Sequence, residues 1–238
     1  MKNIKAIFTK QLLSYIKNSA RWGAPATFLV IPFLFLILAP AGVNMAVLTA
    51  QFVIMFVGIS MVGGSAGFII EDKTTMNLRF MGMAGVRPYQ YLIGTCAVLL
   101  LVSLGFLILF GLISGHSGEA MINFLILAML GAASSMLLGI TLGLSKLAPF
   151  TMIFGILLGV GPVIATDFGS DMVAQIFHLT FTYQVNSALR DDLATFPMEA
   201  AQIVLINMAV ILLGFIIINA RVGLDGERLG KKREAKVR

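Results

Sequence analysis

The chain has 238 residues, of which 58% are hydrophobic and only 12% are charged, and its formal net charge is +6. A soluble domain of this size carries about 25% charged residues, so the sequence lacks the charged surface that keeps a globular protein in water. A single cysteine excludes a disulfide framework and a thiol-based metal cluster. The composition therefore predicts an integral membrane protein.

The first element is a predicted amphipathic helix at residues 2–20. At helical spacing its lysines fall largely opposite one apolar face, made of Ile4, Ile7, Phe8, Leu12 and Tyr15. This pattern is typical of a helix that lies in the membrane interface and turns its lysines toward anionic headgroups. Trp22 follows at the depth that indole rings prefer.

Long stretches without charged residues then predict the transmembrane helices, each of which needs about 20 apolar residues. The first stretch, 22–70, is long enough for two spans, and the sequence PAGVN at 40–44 supplies the turn between them. Four further stretches hold one span each. The fold class is thus all-α with six spans, at approximately 24–40, 45–70, 89–114, 120–145, 149–166 and 200–220.

Residues 167–199 separate the last two spans and are too polar for a lipid-facing helix, since their centre reads IFHLTFTYQVNS. We expect them to form an outer segment, with short helices that re-enter the membrane edge. With six spans, the side that holds both termini collects every basic residue except Arg190, including those of the basic tail at 221–238. The positive-inside rule therefore places both termini in the cytoplasm of a multi-pass plasma-membrane protein.

Enzyme motifs lack their structural context. The sequence Gly63-Gly64-Ser65-Ala66-Gly67 matches the G-x-S-x-G pattern of hydrolases, but it lies inside a predicted span, where small residues let helices pack closely. Gly139/Gly143 and Gly155/Gly159 have similar spacing. We expect the polar span residues to form interhelical hydrogen bonds; they are Gln51, Asn123, Thr141 and Asn207. The chain has no Walker A loop, so it is not predicted to hydrolyse ATP itself.

Residues 71–88 connect the second and third spans on the predicted cytoplasmic side, and mix charged with apolar side chains. A short surface helix that docks with a cytoplasmic partner fits this composition. A solvated connector anchored by its arginines is the alternative.

Around this loop the chain resembles the permease subunit of type-2 ABC exporters. The resemblance is carried by the small-rich second span, then Glu71, the stretch Thr74-Thr75-Met76-Asn77-Leu78, and the stretch Gly85 to Gly94 that opens the third span. It extends to the interfacial helix, the six spans and the long outer segment. The chain departs from the family pattern at Thr75, at Asn77 to Arg79 and at Pro88.

The resemblance implies that the loop is a coupling helix that fits a cleft on a separate cytoplasmic ABC ATPase subunit. Its implied contacts are Glu71, Arg79, Phe80, Met81 and Arg87, with Lys146 in a second loop. Pro162, with Gly159 and Gly161, would break the fifth span and permit the re-entrant turn. The working unit would contain a second permease, identical or paralogous, beside membrane lipids. This chain would hold no cofactor and bind no nucleic acid, while ATP and Mg²⁺ would bind the partner ATPase.

The sequence leaves three functions open. The first is an ATP-driven exporter of an apolar or amphipathic substrate, such as a drug, a peptide, a lipid or a lipid-linked molecule. The second is a non-enzymatic membrane channel, immunity protein or scaffold. The third is an intramembrane hydrolase, for which only Ser65 speaks.

Overall fold

The structure is a computed structural model that describes residues 2–18, 26–28, 30–31, 33–34, 37–38, 44–167, 171–191 and 193–222. Every regular element in this part of the chain is a helix, which confirms the predicted all-helical class. We number the described helices in chain order as α1 Lys2–Lys17, α2 Met45–Thr74, α3 Asn77–Met83, α4 Pro88–Ile113, α5 Gly118–Leu144, α6 Ala148–Asp167, α7 Asp171–His178, α8 Phe181–Arg190 and α9 Met198–Val222.

Five of these helices, α2, α4, α5, α6 and α9, are long and apolar enough to cross a membrane. They overlap the five predicted spans from residue 45 onward and support a multi-pass membrane protein. Eight of the 17 residues of the predicted first span at 24–40 lie outside the described residues, and the residues described there are helical. Most of the predicted tail at 221–238 lies outside them too. Six spans and cytoplasmic termini remain predictions.

The helix ends meet at two opposite ends of the bundle. We use the name basic end for the end that holds α1, α3 and the turn at 145–147 between α5 and α6. We use the name acidic end for the opposite end, which holds α7, α8 and the turn at 114–117 between α4 and α5. The long helix α2 runs from one end to the other and contains one wider π-helical segment, Phe56–Met61.

Glycines bring α2 against its neighbours α5 and α6. A Cβ atom at Gly139 would overlap Ser65 and the Val62 carbonyl of α2, and one at Gly58 would overlap the backbone of Gly159. Close packing at Gly139 and Gly159 is therefore confirmed, and only glycine lets backbones approach this closely.

Within the G-x-S-x-G stretch, the predicted close packing is confirmed for Ser65 and Ala66, but the three glycines of the stretch do not take part in it. A Cβ atom at Gly63, Gly64 or Gly67 would meet nothing within 4 Å. The side of α2 that faces α5 carries Ser65 and Ala66 instead, both of them buried.

Candidate functional site

The loop between α2 and α4 is a folded element at the basic end. The hydroxyls of Thr74 and Thr75 donate hydrogen bonds to the Glu71 carbonyl, and these bonds compete with the helical pattern where α2 ends. Met76 then adopts a left-handed conformation with φ of 60°, an uncommon state for a residue other than glycine, and α3 begins at Asn77. After α3, Gly85 turns the chain at φ of 74° and Pro88 starts α4.

Helix α3 has one face packed on the bundle and one face exposed. Leu78 and Met81 are partly buried and pack against a cluster that includes Ile69, Tyr91 and Leu144. On the opposite face the side chains of Phe80 and Met83 are 61% and 59% exposed. Of the two predicted apolar anchors, Phe80 thus lies on the exposed face, whereas Met81 packs against the protein itself.

A buried carboxylate, Asp72, fastens this loop to the rest of the basic end. It lies in the last turn of α2 and is only 4% exposed. Gln11 of α1 donates to its Oδ2 at 2.9 Å, and the Tyr91 hydroxyl of α4 donates to the same oxygen at 2.7 Å. Its Oδ1 accepts from Lys10 of α1 at 2.5 Å and from Asn77 of α3 at 3.1 Å.

These four donors explain how a carboxylate is tolerated away from water. A buried charge is costly unless it is paired and its remaining lone pairs are hydrogen-bonded. Lys10 supplies the opposite charge, and the three neutral donors occupy the remaining acceptor positions. These hydrogen bonds, which we call the Asp72 network, therefore join α1, α2, α3 and α4 next to the first residue of α3.

A second contact joins the loop to α5. The ammonium group of Lys73 donates to the carbonyls of Gly143 and Leu144, at 3.1 Å and 3.3 Å. These carbonyls are in the last turn of α5, where intrahelical partners are missing and a positive charge is favourable. The turn that follows carries the exposed Lys146.

The structure places the other predicted contact residues around α3. Glu71 is exposed in the last turn of α2, and Arg87 is exposed just before α4, where its backbone N–H donates to Gln90. Arg79 lies in α3, and its side chain is outside the described part of the structure.

Sequence reasoning missed Asp72, Tyr91 and Gln11. The sequence did contain a signal for Asp72, because two acidic residues, Glu71 and Asp72, stand next to each other at the end of an apolar span.

The acidic end has a polar network of its own. Arg190 at the end of α8 forms a bidentate ion pair with Asp167 at the end of α6, at 2.5 Å and 3.0 Å. Gln51 of α2 donates to the same carboxylate at 2.6 Å, and one turn before Arg190, Asn186 donates to Thr166 at 3.2 Å. These bonds hold α8 between α2 and α6.

The residues predicted to break the fifth span have other roles. Helix α6 continues through Pro162, so the chain leaves the helix at Asp167 rather than at Pro162. A Cβ atom at Gly161 would overlap the ring of Phe177, so this glycine makes room for α7 to fold back on α6. Gly159 contacts α2, as described above.

The predicted interhelical hydrogen bonds are present in part. Gln51 bonds to α6, and Asn207 of α9 donates to the Leu179 carbonyl between α7 and α8. Asn123 of α5 donates to the Leu193 carbonyl in the segment before α9. For Thr141 the prediction is wrong, because its hydroxyl donates to Leu137 of its own helix.

Ser65 has the same local bonding as Thr141. Its hydroxyl donates to the Met61 and Val62 carbonyls, and the side chain is fully buried against α5. A serine nucleophile needs an adjacent base and an accessible oxygen, and neither fits this environment.

No protein-family model matches the chain, and no curated protein or solved structure shows significant similarity to it.

Proposed function

We propose that this chain is the permease subunit of an ATP-driven exporter and that α3 receives force from a separate ATPase subunit. The observation that carries the proposal is the two-sided nature of α3. Its outer face exposes Phe80 and Met83 at the basic end of the bundle, whereas its other side is held by the hydrogen bonds of Asp72 to Asn77 and Tyr91.

The exposed face has the composition of a protein docking site. Such sites combine a few large apolar anchors with a polar rim. Here Phe80 and Met83 supply the anchors, and the exposed charges of Glu71, Arg87 and Lys146 lie on the elements around them. An exposed phenylalanine and methionine on a helix that is otherwise well fixed favour a docking surface over a solvated connector.

The contacts beneath α3 supply a route for movement into the bundle. A displacement of α3 acts on α1, α2 and α4 through Asn77 and the Asp72 carboxylate. It acts on α5 through Lys73, which follows Asp72 in the same helical turn. The elements are tied by charged and buried hydrogen bonds, which resist separation more strongly than exposed ones.

The proposed working unit includes further components besides this chain. ATP and Mg²⁺ bind the partner ATPase, and a second permease copy or paralogue completes the unit in the plasma membrane. The cargo is apolar or amphipathic, because the spans have few polar side chains and their charged groups lie at the two ends of the bundle. A charged or strongly polar cargo would require polar groups within the spans.

The test is purification of the tagged chain from its native membrane in mild detergent, with identification of co-purifying proteins and an ATPase assay. We expect a stoichiometric nucleotide-binding subunit that is lost in Phe80→Asp and weakened by charge reversal at Arg79 and Arg87. Ile176→Asp is the matched control, because Ile176 is 66% exposed at the acidic end. That variant should keep the ATPase subunit.

A chain that purifies alone and shows no ATPase activity contradicts the proposal. It would favour the channel, immunity-protein or scaffold function instead. Equal loss of the partner in Phe80→Asp and Ile176→Asp would also count against α3 as the docking element, since the loss would then not depend on which end of the bundle is altered.

A further inference from the structure

Helix α8 carries a row of polar side chains that are buried inside the bundle. Thr182, Asn186 and Arg190 recur at intervals of four residues, so they lie along one face of the helix. Thr182 and Asn186 are fully buried, and the side chain of Arg190 is only 17% exposed. Polar groups inside a membrane protein are costly, which makes such a row a candidate for a functional site.

The hydrogen bonds around Asn186 fix the orientation of its side-chain amide. Thr166 of α6 donates its single hydroxyl hydrogen toward the carbonyls of Pro162 and Val163, at 3.0 Å and 3.1 Å. The Thr166 oxygen therefore accepts from Asn186, whose Nδ2 lies 3.2 Å away. The Oδ1 atom of Asn186 is on the other side of the amide, and it has no hydrogen-bond partner among the described residues.

Arg190 has a free donor that matches this acceptor. Its terminal nitrogens Nη1 and Nη2 pair with the two carboxylate oxygens of Asp167, which leaves the Nε–H. The Nε atom is buried, and no atom of the described residues accepts from it. Long side chains of a helix lean back over the preceding turn, which for Arg190 is the turn that holds Asn186. A buried donor and a buried acceptor thus lie one turn apart on the same face of α8.

We infer that this face of α8 binds one hydroxyl group between Arg190 and Asn186. The oxygen of a hydroxyl accepts from the Nε–H of Arg190, and its hydrogen is donated to the Oδ1 of Asn186, so one group satisfies both atoms. Residues one turn apart have Cβ atoms about 5–6 Å apart, which is about the length of two hydrogen bonds. An anion has no hydrogen for Asn186, and an ammonium group has no lone pair for Arg190. The site is therefore selective for a group that donates and accepts.

The hydroxyl belongs either to water or to a hydroxyl-bearing solute. The side chains of Asp167 and Arg190 are 21% and 17% exposed, so one edge of the site is open at the acidic end. A bound water uses about two to four polar partners, and Arg190 and Asn186 provide two. A small polyol such as glycerol presents the same group. This inference uses only contacts at the acidic end and does not depend on the proposed export function.

The experiment detects the hydroxyl at Arg190 itself. The full-length chain is isotopically labelled, placed in lipid bilayers and studied by solid-state NMR, in which magnetisation is transferred from water to nitrogen-bound hydrogens. We expect transfer to the Arg190 Nε–H, whose signal is identified by its loss in Arg190→Lys. The backbone amide of Ala132, which is fully buried in α5, is the dry reference. Saturable transfer from the carbon-bound hydrogens of added glycerol would identify a solute hydroxyl, and water transfer alone would identify water.

Two buried amides of α8 provide a matched pair of variants. Asn186→Leu removes the acceptor and fills the site with an apolar side chain, so it should abolish the transfer to Arg190. Gln184→Leu removes an amide that donates to the His178 carbonyl instead, so it should leave the transfer unchanged. Transfer no greater than at Ala132 in the unaltered chain, from water and from glycerol alike, would overturn the inference. Equal loss of transfer in the two variants would overturn it as well.

Discussion

Replacement of Asp72 by alanine tests the Asp72 network most directly. The substitution removes one acceptor group that serves four donors on three helices. Gln11 and Tyr91 are each only 2% exposed, so water cannot replace the lost partner without opening the structure. We expect the variant to insert into the membrane but to hold α1 and α3 less firmly.

The magnitude can be estimated from the burial of each donor. An orphaned buried donor costs about 1–3 kcal/mol, which applies to Gln11 and Tyr91. Lys10 adds at most about 1 kcal/mol, because its side chain is 41% exposed and its charge is screened by water. Interhelical hydrogen bonds in membrane proteins average only about 0.6 kcal/mol. We therefore expect the free energy of unfolding to fall by about 2–4 kcal/mol.

The assay is reversible unfolding of the purified chain in mixed detergent micelles, with a double-mutant cycle. In a Tyr91→Phe background the hydroxyl is already absent, so Asp72→Ala should cost about 1 kcal/mol less than in the unaltered chain. Glu71→Ala is the control, because the adjacent carboxylate is exposed, and an exposed charge contributes at most about 1 kcal/mol even when it is paired. Equal effects of Asp72→Ala and Glu71→Ala, or strict additivity with Tyr91→Phe, would refute the reasoning.

Three further predictions concern packing, the acidic end and Ser65. Gly139→Ala should destabilise the chain by about 1–3 kcal/mol, because its Cβ would overlap α2, whereas Gly64→Ala, with open space, should be neutral or stabilising by up to about 1 kcal/mol in the same unfolding assay. A double-mutant cycle of Asp167→Ala and Arg190→Ala should give a coupling energy of about 1–3 kcal/mol, and each single variant should speed amide hydrogen exchange in α8. Additive losses of stability in the two variants would contradict a stabilising ion pair between these residues. Ser65→Ala should change unfolding by less than about 0.5 kcal/mol and leave transport intact, because its hydroxyl bonds only within α2; loss of a measured activity at unchanged expression would support the hydrolase alternative.

Local properties of the sequence were sufficient for the class of protein and for the position of the loop. Hydropathy and charge vary along the chain itself, so the apolar stretches marked the long helices, and the charged residues from Glu71 to Arg87 marked the connection between two of them. Helix capping is local as well, which is why Thr74 and Pro88 lie close to helix ends. The number of spans and their orientation are still predictions.

The tertiary structure alone decided which side chains at the basic end act together. Asp72 and Lys10 are 62 positions apart, and their contact exists only because α1 folds back on α4. Two neighbours in α3 differ in the same way, since Met81 packs inward and Phe80 outward. The free energy of a buried carboxylate or an exposed ring depends on what surrounds it, and those surroundings come from distant parts of the chain. For this reason the sequence located the loop, whereas only the folded structure showed Asp72 as the residue that fastens it.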